Sequence, residues 1–241
     1  MSDTIIVPCR QPGEPAITSP VLFFVNPGDT SAIISEARRR HGKKHFLFHS
    51  NLFEIPGQAP LFWAGPALGA PAAVMVLEKL IALGSSDVIV HGWCGALTPD
   101  LAAGEVFLPS QALSEEGTSA HYPVAEKPPA AHAGLRRQLG DFLQHNGYPV
   151  KQGPIWTTDA PFRETRQKVE QYGSQGIMAV DMEFAALCTV AAYRGVRLAA
   201  VMLVSDELYH PAWRPLYASR SFKQKSLEIF FALSRFACNI C

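Results

Sequence analysis

The stretch Val180–Asp206, VDMEFAALCTVAAYRGVRLAAVMLVSD, decides how the rest of the chain is read. Its spacing predicts a loop, a helix from about Glu183 to Arg194, and a buried strand from Leu198 to Val204. Gly195 is placed to stop the helix, because glycine adopts the left-handed conformation of a C-cap at no steric cost. The strand is a short, continuous apolar run of the kind that is covered on both faces. Acidic residues frame the stretch: Asp181 and Glu183 before the helix, Asp206 after the strand. In open α/β sheets ligands gather beyond the carboxyl ends of the strands, so an acid there has access to chemistry. It is equally an N-cap, since Ser205-Asp206 is good capping sequence. Both readings stay open on these residues alone.

Working outward, strand and helix signals alternate. Val21–Val25 reads as a strand, Asn26-Pro-Gly-Asp29 as a turn and Thr30–Arg40 as a helix with a basic end. A strand, a glycine turn and a helix N-terminus can hold an anion, and Gly28 marks that place. The same tetrapeptide is also an ordinary turn with an aspartate cap. Further strands are expected at Phe46–Phe48, Leu61–Ala64, Val88–Val90, Gly104–Pro109 and Gly153–Thr158. Further helices are expected over Ala72–Leu83 and Leu135–His145, toward Tyr172, and from about Ser219 to Ala237. His91-Gly-Trp-Cys-Gly95 is read as a glycine-flanked exit at the carboxyl end of the Val88–Val90 strand, where backbone approaches a ligand or simply turns. Residues 1–18, proline-bearing and aperiodic, read as an N-terminal extension, and 19–241 as one α/β domain with no repeat and no sign of a second.

Composition narrows the function. The chain has 241 residues with 21 Lys plus Arg against 21 Asp plus Glu, and this zero formal charge argues against a general nucleic-acid binder. The five cysteines, at 9, 94, 188, 238 and 241, form no CxxC pair, so neither a zinc site nor a disulfide framework is expected and a reducing compartment is the simple reading. No signal-peptide pattern opens the chain, and no apolar run reaches the ~20 residues of a spanning helix. The expectation is a cytoplasmic protein with no membrane partner and no metal.

Several pieces in one order resemble the nucleoside phosphorylase family, which holds purine nucleoside phosphorylases, uridine phosphorylases and hydrolytic methylthioadenosine/adenosylhomocysteine nucleosidases. They are Pro27–Asp29, the Gly65–Pro71 run GPALGAP, Gly92–Gly95, Glu116–Tyr122, Thr157–Thr165 (TTDAPFRET), Val180–Glu183 (VDME) and Ser205-Asp206. The Glu116–Tyr122 piece is similar to the uridine phosphorylase branch. Thr157–Thr165 resembles a poorly characterised branch. The likeness runs from Val21 to Ala237.

The resemblance implies a single-domain fold with a mixed, partly barrel-like sheet flanked by helices. It implies homo-oligomers built from dimers (a dimer or a hexamer) and displacement at the anomeric carbon of a nucleoside. No cofactor is implied beyond phosphate as co-substrate. Glu183 matches the carboxylate that accepts the ribose hydroxyls, Met182 the residue packed on the sugar, and Asp181 replaces a common glutamate, as part of the hydroxyl network or as a helix cap. Asp206 matches the acid that meets the departing base in purine-specific members, with Arg220 near the place of an arginine beside it. Phe162, with Trp156 second, is a base-stacking candidate. Arg163 is a candidate for the base edge, whereas Arg166 is read as surface charge. Trp93, Cys94 and Gly95 are expected at the substrate, Ser119 and His121 in the pocket or stabilising their loop.

Phosphate is where the chain departs from the pattern. Phosphorolytic relatives usually keep an arginine shortly after Pro-Gly-Asp, where this chain has Thr30-Ser31-Ala32, and another at the position of Val90. The small hydroxyl residue after Gly92 is Trp93. Arginine suits phosphate because its planar fork donates paired, charged hydrogen bonds, and valine and tryptophan cannot. Phosphate is then held otherwise, by Gly28 amides, His91, Arg38 or a neighbouring subunit, or else water is the nucleophile. The leading expectation is a nucleoside phosphorylase in nucleoside catabolism or salvage. The alternatives are a phosphate-independent nucleosidase and a catalytically weak nucleoside-binding member of the fold.

Overall fold

The computed structural model describes residues 4–58, 60–124 and 128–239. Its strands are β1 (Val21–Phe24), β2 (Lys43–Leu47), β3 (Ser50–Ile55), β4 (Leu61–Gly65), β5 (Asp87–Ala96), β6 (Val106–Glu115), β7 (Val150–Thr158), β8 (Ala179–Asp181), β9 (Arg197–Glu207) and β10 (Arg214–Pro215). Its α-helices are α1 (Thr30–Arg39), α2 (Ala70–Ala82), α3 (Ala133–His145), α4 (Arg166–Ser174), α5 (Phe184–Arg194) and α6 (Arg220–Asn239).

All ten strands join one sheet in the order β10-β9-β6-β7-β8-β5-β1-β4-β3-β2, and β9 also pairs with β5. That extra pairing closes β5, β8, β7, β6 and β9 into a five-stranded mixed barrel, from which β1, β4, β3 and β2 extend as an open wing. Burial explains the closure. The β9 core from Leu198 to Val204 is buried at every position, as is β5 from Asp87 to Gly92, so each needs cover on both faces. They run parallel, Val88 opposite Leu198 through Ala96 opposite Glu207, with a bulge between Cys94 and Gly95. A bulge re-aims the side chains that follow it, and here it lies beside the cavity described below.

α5 shows why the organising stretch reads as it does. Its residues Phe184 to Ala191 are all buried, and it packs between α2 and the barrel, so it lacks a polar face. Gly195 caps it at φ 71° in the left-handed region, receiving the helix end as expected. Truncating a buried Phe184 to Ala would cost about 3–5 kcal/mol.

Two sequence expectations are corrected. His91–Gly95 is not a strand exit, since β5 continues through Ala96 before it leaves the sheet. Phe46 is on β2, but that strand starts earlier, at Lys43, and ends before Phe48. Its partner β3 and the short β8 went unread.

The N-terminal segment lies against the end of α2. Lys79 Nζ donates to the Cys9 carbonyl (2.8 Å) and to Glu14 (2.6 Å), and Ile17 is buried with its N–H on the Leu83 carbonyl.

Candidate active site

A cavity of about 690 Å³ opens at the carboxyl ends of β5 and β9. Its floor comes from Trp93, Cys94 and Gly95 of β5 and from Ser205 and Asp206 of β9, and one wall comes from Val180 to Glu183. Phe162, Glu164 and Arg166, from the segment after β7, form another wall. Trp213 and Tyr217, from the chain between β9 and α6, complete it.

The Asp181–Glu183 turn divides its labour. Asp181 is buried and saturated: it accepts from the Thr157 hydroxyl (2.6 Å) and from the backbone N–H groups of Glu183 (3.1 Å) and Phe184 (2.7 Å). It thus caps α5 from one turn before it. Glu183 is 3% exposed, and its Oε1 accepts from the Gly69 N–H at 2.5 Å. The Met182 N–H also serves this carboxyl, and Glu183 lines the cavity. Burial pushes both carboxyls up, while Asp181 is held back by its three donors and Glu183 feels Asp181 as a like charge. A carboxyl held by backbone N–H groups at the edge of a cavity has lone pairs to spare and is suited to gripping a pair of vicinal hydroxyls.

Asp206 is dressed differently. Trp213 Nε1 donates to Oδ2 (2.8 Å) and Ser205 Oγ to Oδ1 (2.5 Å). Beside it, Glu164 is pushed up to about 8, by burial first and by the Asp206 charge second. Cys94 is buried and its thiol is pushed up, by burial and then by Asp181 and Asp206, so it stays a neutral wall.

The Gly28 side of the site is filled. A Cβ on Gly28 would lie 2.4 Å from the Trp93 ring, so the indole sits directly on the Pro27–Asp29 turn. Trp93 also meets Phe222 edge-on (5.0 Å between centroids) and stacks toward Tyr217 (6.4 Å, 24° between planes). Its Nε1 donates to Ser226 Oγ (2.9 Å), Ser226 donates to Asp29 Oδ2 (2.6 Å), and His91 Nε2 lies 3.1 Å from the same hydroxyl. Asp29, His91 and Ser226 are all buried, so the α1 end of the turn is closed by its own polar groups.

Eight of the residues picked from the sequence therefore share one cavity wall: Trp93, Cys94, Gly95, Phe162, Asp181, Met182, Glu183 and Asp206. Four do not line it. Gly28 and His91 lie behind Trp93. Arg163 is exposed within a one-turn helix. Arg220 opens α6, exposed, and makes no ion pair with Asp206 among the described residues; the indole of Trp213 meets that acid instead.

Arg166, read as surface charge, lines the cavity and donates to the carbonyls of Leu208 (2.9 Å), His210 (2.5 Å) and Pro211 (3.2 Å), pinning the loop after β9. Trp156 is fully buried against Tyr172, in a second core cluster. Ser119 bonds Thr189 (3.0 Å) and serves its loop, while Arg38 is an exposed residue of α1. Sequence reasoning missed Glu164, Trp213 and Tyr217. Glu164 stood inside a quoted motif, but an acid two residues past an aromatic looks like solvated charge. Trp213 and Tyr217 lie in a loop with no periodicity.

A guanosine phosphorylase from Halorubrum lacusprofundi is 29% identical over 58% of this chain and 58% of its own length. A DeoD-type purine nucleoside phosphorylase from Bacillus thuringiensis is 31% identical over 60% of this chain and 63% of its own. The match thus spans about three fifths of the length of these curated relatives. Among solved structures, a purine nucleoside phosphorylase from Toxoplasma gondii, in complex with immucillin-H, shares the fold at a TM-score of 0.77 and 19% identity, covering 92% of both chains. A uridine phosphorylase from Vibrio fischeri does so at 0.73 and 21%, covering 91% of this chain and 90% of its own. No helix among the described residues is long and apolar enough to cross a membrane. With residues 26–230 matching its family pattern over the segment that builds both barrel and cavity, the chain belongs to the phosphorylase superfamily.

Proposed function

We propose that the cavity binds a nucleoside and that the protein cleaves its N-glycosidic bond with water as the nucleophile. Breaking that bond builds positive charge on the sugar and negative charge on the base, and catalysis needs groups that bind this charge-separated state better than the substrate. Glu183 takes the ribose hydroxyls, and Met182 packs on the sugar. Phe162 and Trp213 offer aromatic faces to the base, whose edge meets Asp206. The cavity wall carries four carboxyls, Glu164, Asp181, Glu183 and Asp206, against one guanidinium, Arg166. That lining offers acceptors to the sugar and no free cation to a phosphate dianion.

The observation that carries the choice of water is the position of Trp93. Its indole rests on Gly28, where an incoming anion would need the turn's amides, and Arg166 already spends its terminal nitrogens on carbonyls. Phosphorolysis is the second reading, favoured by the relatives whose names are phosphorylases. A panel of purine and pyrimidine nucleosides, assayed by chromatography of released base with and without phosphate, separates the two. Release at the same rate without phosphate supports hydrolysis, release only with phosphate supports phosphorolysis, and ligand-induced thermal stabilisation without turnover supports a binding protein.

A further inference from the structure

We propose that Glu164 is the acid that protonates the departing base, with Asp206 as the hydrogen-bond acceptor beside it, and that the pair selects a 6-aminopurine; this rests on the nucleoside-cleaving reading above. Both carboxyls line the one cavity, and Glu164 feels Asp206 as a like charge. A carboxyl shielded from water and facing a like charge favours its neutral form.

The hydrogen bonds say which of the two carboxyls keeps a proton. Asp206 accepts from Trp213 Nε1 and Ser205 Oγ, and donors of this kind stabilise the anion. The Glu164 carboxyl accepts from no described residue. Arg166, the nearest cation in sequence, directs its terminal nitrogens at the carbonyls of Leu208, His210 and Pro211 instead. The remaining acids of the cavity, Asp181 and Glu183, lie on the sugar-side wall. The proton therefore resides on Glu164, consistent with its raised titration.

The step balances as follows. The bond from C1′ to the base nitrogen breaks with its electron pair moving into the base. The Glu164 proton passes to a ring nitrogen of that base, leaving a carboxylate. Water adds its oxygen to C1′ and releases a proton, which restores the neutral acid.

The same pair presents one donor and one acceptor side by side. Adenine offers an acceptor at N7 and a donor at N6 on one edge, whereas 6-oxopurines offer two acceptors there. A 6-aminopurine nucleoside thus satisfies both carboxyls, while inosine or guanosine leaves the Asp206 oxygen facing another oxygen.

The test compares wild type with Glu164→Gln on adenosine, on inosine and on a nitrophenyl riboside, whose phenolate leaves without a proton. Folding of the variant is checked by its circular dichroism melt. We expect adenosine to be preferred over inosine, turnover of adenosine to fall about 100- to 10,000-fold in the variant, the loss of activity at alkaline pH seen in wild type to vanish, and the nitrophenyl riboside to be cleaved at a nearly wild-type rate. Equal losses on adenosine and the nitrophenyl riboside, or a variant that keeps adenosine turnover, would overturn Glu164 as the acid. A preference for inosine would overturn the base assignment. Wild type inert on every nucleoside would instead remove the underlying functional reading.

Discussion

The two sides of the β5 terminus use similar residues to opposite ends. On the cavity side Glu164, Glu183 and Asp206 line one void, and the Glu164 carboxyl accepts from no described residue. On the Gly28 side Asp29, Trp93 and the Nε2 of His91 meet at the Ser226 hydroxyl, with His91 Nδ1 left without a partner among the described residues. Neighbouring polar groups that satisfy each other hold the fold; those left half satisfied, beside a void of molecular size, are available to a ligand. The contrast is what turns a general superfamily membership into a specific claim about the nucleophile.

The largest expected effect lies on the open side. Glu183→Ala removes a charged acceptor from two sugar hydroxyls, about 1.5–3 kcal/mol each, so kcat/KM falls by roughly 100-fold or more, with kcat and KM both worsening. Steady-state kinetics unchanged from wild type would break the comparison at its root. On the sealed side, Trp93→Ala is expected to cost about 3 kcal/mol of stability, at the lower end for aromatic truncation because the indole is only partly buried. Opening that space is not expected to create phosphate dependence, since no arginine waits behind it. Denaturant melts and phosphate titrations check both halves.

Ser226→Ala tests the sealed network with a smaller change. It strands Asp29, His91 and the Trp93 N–H, for about 1–3 kcal/mol of stability, and should leave turnover close to wild type because Ser226 is buried away from the cavity. A large loss of activity at unchanged stability would mean that this side also does chemistry.

The remaining effect is in pH. Glu164 keeps its proton in the fold up to about 8, while the unfolded chain releases it near the ordinary glutamate value of 4.5. Between those values the folded state binds more protons, so rising pH favours unfolding and stability declines across this window. Glu164→Gln removes that contribution, so its melting temperature relative to wild type should rise from about pH 5 to about pH 8. A constant difference would mean that the carboxyl titrates normally.

Much of this was legible in the chain because the organising stretch combines strong local signals. Gly195, the apolar α5 and the buried β9 each require what their neighbours require, and this mutual consistency made the helix, the strand and Asp206 at its end readable. The family pattern placed Glu183 and Asp206 in one cavity. The barrel closure was not readable from spacing, because pairing β9 with both β5 and β6 is a long-range fact with no local signature. Nor was the role of Arg166, whose carbonyl partners lie over 40 residues away. Arg220 was carried over by position, but the loop through Trp213 supplies the donor at Asp206 in its stead. Trp93 was visible as an anomaly after Gly92, and only the structure set its ring against Gly28.

The most direct trial is mass spectrometry of the sugar product after nucleoside cleavage in heavy-oxygen water with phosphate also present. Ribose carrying heavy oxygen at its anomeric carbon is the predicted product. Ribose 1-phosphate, with no label at that carbon, would contradict the account.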